Sequence, residues 1–158
     1  MSGGAWEYVA AYVNNGNSRL ISYGSSLVNG DAKTKNVYSK GSSDNYSSNY
    51  SANSGKYGDA VYETSANGSG STSWYGDYSH FPNVNYPFFI RGGVCDYGTN
   101  AGVFCFNAGN GNISGNFSFR PVLVALWCKY KVKINLTLQN KCWVLCSFIT
   151  YIILFNRN

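Results

Sequence analysis

Histidine is nearly absent from this chain: its 158 residues include one, at position 80. A lone imidazole excludes the Cys/His zinc sites of ordinary spacing, and beside the aromatic run before it His80 reads as a packed or surface side chain rather than a catalyst. Charge is scarce as well, at 12% of residues, and residues 1–126 hold seven basic and seven acidic side chains. Along the sequence no basic stripe forms, which argues against nucleic acid as a partner. The net charge of +5 belongs to residues 127–158, where Lys129, Lys131, Lys133, Lys141 and Arg157 stand without an acid. Long hydrophobic runs are missing: residues 142–155, uncharged and apolar, number 14, against roughly 20 for a bilayer span. The start, Met1-Ser-Gly-Gly, has neither the basic nor the apolar region of a signal peptide. Five cysteines cannot all pair within one chain. Cys142 and Cys146 have the spacing of neither a zinc pair nor a redox motif, while a Cys95–Cys105 bridge is geometrically conceivable in an exported domain. No complete catalytic constellation is present.

What the chain has in abundance is Gly, Ser, Asn and Tyr, with 18 Gly and 14 Tyr. Rigid amphipathic rings among short adaptable polar side chains are the mixture that paratopes use. Trp6, Val9, Ala10 and Val13 recur at helical spacing and predict a short helix, with Trp6 in the core. Residues 14–58 are dense in turn formers and read as a long surface loop tacked down by its tyrosines. The six Asn-x-Ser/Thr sequons, at Asn45, Asn49, Asn67, Asn112, Asn116 and Asn135, are what so Asn- and Ser-rich a chain gives by chance. Residues 58–64 fit a short helix or strand, and Trp74–Tyr78 reads as a buried aromatic turn or strand. Phe88–Arg91, ended by Gly92-Gly93, suits a buried strand; Ala101–Phe106 and Phe117–Leu126 are further strand candidates. Short strands, many turns and little helix predict an irregular, β-containing α+β domain over residues 1–126, followed by a basic and apolar tail at 127–158.

The opening Met1-Ser-Gly-Gly-Ala-Trp6-Glu7-Tyr8 resembles the Gly-Asn-Val-Trp-Glu-Trp signature of the formylglycine-generating enzyme, or sulfatase-modifying factor, superfamily. Arg91-Gly92-Gly93 resembles the Arg-Gly-Gly that follows it, and Phe119-Arg120 the Phe-Arg that closes the domain. The resemblance implies a C-type-lectin-like fold in which these landmarks pack together. In that frame Trp6, Glu7, Arg91, Gly92, Gly93, Phe119 and Arg120 are structural, with Glu7 the partner of the two arginines, because a buried charge left unpaired costs several kcal/mol. The catalytic branch binds copper through two cysteines separated by four residues. Here Cys95 and Cys105 are separated by nine, a spacing that does not match, and the reading is non-catalytic and without cofactor.

A non-enzymatic branch fits better: the variable proteins of diversity-generating retroelements, which carry a mutable segment between Arg-Gly-Gly and the closing Phe-Arg. Residues 94–119 contain no Lys, Glu, Gln, Met or Trp, the types that adenine-targeted diversification of AAC and AAT codons does not produce. Gly98, Ala101–Phe104, Phe106 and Gly111 read as frame. The candidate ligand-binding positions are Cys95, Asp96, Tyr97, Thr99, Asn100, Cys105, Asn107, Asn110, Asn112, Asn116 and Phe117, joined by Val94, Ala108 and Ile113. The resemblance implies a protein or glycan ligand, a cell-surface or extracellular setting, and a longer ancestor of which Met1 was an internal residue. Residues 142–155 suggest a membrane contact, a packing helix or strand, or translation past the family's usual end. The alternatives are a copper-dependent oxidase of the formylglycine-generating type and an inactive structural fragment.

Overall fold

Trp6–Asn14 forms the longest strand, β1, where the sequence spacing predicts a helix. The reason lies in its pairing. Against the antiparallel strand β5 (Phe88–Arg91), Tyr8 faces Ile90 and Tyr12 faces Phe88, so the register slips between them. Extra residues at a bulge shift the phase of the side chains, and with apolar neighbours on both faces of the strand the pattern imitates a helical period. Trp6 is core, as its type suggests.

The computed structural model describes residues 4–56 and 58–119, all within the unit Met1–Pro121. The boundary at residue 126, the tail and Arg120 lie outside the described residues. The remaining elements are helices α1 (Ser18–Ser22) and α2 (Ser25–Asn29), strand β2 (Asn36–Ser39), helices α3 (Tyr46–Ala52) and α4 (Ala60–Thr64), and strands β3 (Ser69–Gly70), β4 (Ser79–His80), β6 (Phe106–Gly109) and β7 (Phe117–Ser118). Short 3₁₀ turns occupy Ala32–Thr34, Trp74–Gly76 and Cys95–Asn100. The fold is therefore α+β, with one mixed sheet in the order β2-β1-β5-β6-β4-β3 and β7 added beside β1.

Both faces of the β1–β5 ladder are covered. One carries Ala11, Val13, Tyr38, Phe81, Phe89 and Phe106. The other carries Trp6, Ile90, Val94 and Cys105, continued by Tyr12, Leu20 and Phe88. Burying side chains of this size on both sides, each worth about 1.5–3 kcal/mol, is what fixes β1 at the centre.

Residues 14–58 are not the surface loop that their turn formers suggest. Tyr38 of β2 is core, 2% exposed, and β2 lies parallel to β1 with Tyr38 opposite Val13. Asn45 caps α3, its side chain accepting from the Ser48 N–H while the Ser48 hydroxyl accepts from the Asn45 N–H. Asn49 is fully buried: its Oδ1 accepts from Gly41 N–H at 2.6 Å, and its Nδ2 donates to Asp44 at 2.9 Å and to the Pro82 carbonyl at 3.0 Å. Asn53 pairs its amide with both backbone groups of Ser39, accepting at 2.8 Å and donating at 2.7 Å, and so acts as one more rung on β2. Interior amides supply the hydrogen bonds that this polar segment needs in order to be buried.

Other expectations move by a few residues. Phe88–Arg91 is a strand and its first three residues are buried, whereas the strand expected at Ala101–Phe106 begins only at Phe106. Gly102 holds the earlier part in a turn: a Cβ there would lie 2.0 Å from the Asp77 carboxylate, which accepts from the Phe104 N–H at 2.8 Å. Trp74 and Tyr75 are exposed rather than buried, at 55% and 89%.

Candidate ligand-binding face

Arg91, Gly92 and Gly93 deliver the chain from β5 into the candidate segment. Both glycines have positive φ, +90° and +68°, and a Cβ on Gly93 would meet that of Ala101 at 2.7 Å. Only glycine combines that backbone with that contact. Two of the sequence landmarks meet at Glu7, which lies directly across from Arg91 in β5; it also lies beside Ser118 in β7, the residue before Phe119. Trp6 is bound from both sides of its peptide, its N–H donating to the Asn116 carbonyl at 2.8 Å and its carbonyl accepting from the Ser118 hydroxyl at 3.2 Å. Phe119 is 76% exposed, so its side chain is not a core element.

Of the candidate ligand-binding residues, Tyr97, Asn107 and Phe117 come together on one face of the sheet. Tyr97 sits edge-on to Trp6 and to Tyr78, each at 5.2 Å between centroids, and its hydroxyl accepts from Asn107 at 3.5 Å. Phe117 leans on Tyr8 at 5.2 Å. Around them Cys95, Asp96 and Thr99 are exposed on the 3₁₀ turn, as are Asn112 and Asn116 on the loop before β7. Asn100 is half-buried: its carbonyl accepts from Tyr78 N–H at 2.9 Å and its Oδ1 from Ser71. Asn110 turns its own loop, accepting from Asn112 N–H at 2.9 Å. Cys105 does not belong to this surface. It is fully buried beneath it, and burial first of all holds its thiol up at about 11. Cys95 and Cys105 are both free thiols, and Val94, also proposed for display, is core.

Tyr8 is the organising residue that sequence reasoning missed. Its hydroxyl accepts from Gly111 N–H at 3.0 Å and donates to the Asn112 carbonyl at 3.3 Å, tying the 110–117 loop to β1. Burial raises its pKa, the Gly111 bond opposing. Gly109 leaves room for this ring, since a Cβ there would stand 2.7 Å from it. Next to it opens a groove of about 470 Å³ lined by Tyr8, Tyr23, Leu27, Phe88, Ile113 and Phe117, with Ile113 fully exposed. A second missed feature is the ledge of Trp74, Tyr75 and Phe104, where Tyr75 stacks on Phe104 at 5.8 Å and Trp74 meets it edge-on at 5.3 Å. Gly76-Asp77 could have signalled this turn, but not the exposure of its rings.

His80 lies between the rings of Tyr46 and Tyr78, its nitrogens 3.4 Å from the Tyr78 hydroxyl and the Asn83 amide. Burial lowers its pKa. Among the described residues no group of His, Cys, Asp and Glu is arranged to hold a metal ion, and no helix is long and apolar enough to cross a membrane. The face as built can present rings and amides to a ligand from two loops fastened to a buried ladder. No family model, curated protein or solved structure matches the chain.

Proposed function

We propose that residues 1–126 form a C-type-lectin-like variable domain that recognises a protein or glycan at a cell surface, without catalysis. The observation that carries this reading is the division of labour in residues 94–117. Tyr97, Asn107 and Phe117 converge on one face around Trp6 and Tyr8, with exposed Thr99, Asn112 and Asn116 on the turns beside them, while Val94, Cys105 and Phe106 are buried below. A scaffold that holds its stability in the ladder can change the side chains of its loops without refolding. The pairing of Glu7 with Arg91 in adjacent strands supports the likeness to the sulfatase-modifying factor superfamily.

An array of neutral and acidic glycans, probed with the labelled full chain, tests the recognition. Binding that is lost on Thr99→Ala combined with Asn112→Ala, at unchanged melting temperature, supports it; binding indifferent to both removes this face as the site. The neighbouring DNA tests diversification, since a reverse transcriptase gene beside an adenine-rich near-copy of codons 94–119 is required. The oxidase alternative predicts copper-dependent, Cys95-dependent oxidation of a substrate thiol. The exposed Cys95 and buried Cys105 do not favour it, because two thiolates have to converge on one metal.

A further inference from the structure

Four of the six basic side chains among the described residues, Lys33, Lys35, Lys56 and Arg91, line a single groove of about 1000 Å³. They come from three separate stretches: the turn leading into β2, the chain before α4, and β5. The floor is apolar, formed by Val9, Ala11 and Phe89 of the central ladder with Tyr38 and Val61. Its size is at the upper end of small-molecule pockets, roughly 300–1,000 Å³. Like charges gathered in a partly enclosed space repel one another and are screened less than on an open surface.

Four cations in the lining outnumber the carboxylates beside them, Asp59 in the lining and Glu7 across from Arg91. Asp59 is held in place by hydrogen bonds, its oxygens accepting from the Tyr38 hydroxyl at 2.6 Å and from the Val61 N–H at 2.9 Å. Two of the ammonium groups are positioned by carbonyls: Lys35 donates to Leu27 and Val28, and Lys56 donates to Val37 while lying 4.1 Å from the centre of the Tyr38 ring. Carbonyls and a ring face orient an ammonium without cancelling its charge.

We propose that this groove binds a small organic anion bearing at least two phosphate or sulfate groups, its charges met by the lysines and Arg91 and its body resting on Val9, Ala11 and Phe89. The site lies on the face of the sheet opposite Tyr97 and Phe117, and it stands whether or not that face is a display surface.

The test is calorimetric titration of the full chain at low ionic strength with inositol hexakisphosphate and with sucrose octasulfate, sucrose serving as the neutral reference. Saturable binding of at least one polyanion is expected, and the preferred probe assigns phosphate or sulfate. Lys33 is exposed, so Lys33→Ala should keep the fold, checked by its melting temperature, and weaken binding about tenfold, as loss of one charge-assisted contact does. Lys33→Arg restores most of the affinity, and Lys40→Ala, outside the groove, leaves it unchanged. The proposal is overturned if neither polyanion binds, if binding survives Lys33→Ala unaltered, as the basic residues of 127–158 would give, or if Lys40→Ala weakens it equally.

Discussion

Residues 36–56 and residues 94–117 are both rich in Asn, with four and five, yet they put it to opposite uses. In the first, Asn49 and Asn53 are 0% and 4% exposed and spend their amides on backbone groups of β2 and of the chain at Gly41 and Pro82. In the second, Asn112 and Asn116 face solvent, and it is the apolar members, Val94, Cys105 and Phe106, that are buried. The same side chain is structural where water is excluded and available for recognition where it is not. An interior amide has only protein to bond to, so removing it strands its partners.

The contrast can be broken most forcefully at Asn49. Asn49→Ala removes its bonds to Gly41, Asp44 and Pro82 and should cost about 3 kcal/mol in urea unfolding, the sum of modest bonds and a buried N–H left alone. A loss below about 1 kcal/mol would mean that water replaces the amide. Next comes Gly102→Ala, whose methyl has no space beside the Asp77 carboxylate; a loss of about 2 kcal/mol is expected from overpacking, read by the same denaturation, with glycan binding measured alongside to see whether the loop moves.

Acidification should produce a smaller effect, localised at His80. Its folded pKa lies below 6.5 because of burial, so between that ordinary value and the depressed one the unfolded chain binds more protons than the folded chain. His80 thus destabilises the fold as pH falls through 6.5, the loss is complete below the folded pKa, and none of it is present at higher pH. His80→Gln should flatten that part of the stability profile, and an unchanged slope would place the titration elsewhere. The smallest effect is the sharpest contrast with Asn49: Asn112→Ala and Asn116→Ala should each change stability by no more than about 0.5 kcal/mol, as surface substitutions do, while altering ligand binding. A cost comparable to that of Asn49→Ala would show that the loop amides are structural too.

Some of this was legible in the chain. Phe88–Arg91 as a buried strand, Trp6 as core, the glycine pair that ends β5 and the α+β class all follow from side-chain type and local backbone preference, which act over a few residues. The helix expected at Trp6–Val13 failed for a physical reason: a bulge and burial on both faces erased the two-residue alternation. The loop expected at 14–58 fails because polarity does not imply exposure: an amide with three partners is at home inside. Within the candidate face, the exposed Asn112 and Asn116 and the buried Cys105 are indistinguishable by sequence pattern, and Tyr8 acquires its role only when Gly111 and Asn112, more than 100 positions away, are brought to its hydroxyl.

By itself, then, the sequence determined the supply of parts: scarce charge, one histidine, abundant rings and amides, and glycines where the backbone must turn with positive φ. Only the tertiary structure decided which of those parts are interior and which are neighbours. Lys33, Lys35, Lys56 and Arg91 show the reason most plainly. They are spread over 59 positions of a neutral stretch, and only the pairing of β1 with both β2 and β5 brings them to one groove. Electrostatic attraction depends on distance in space, and distance along the chain does not encode it.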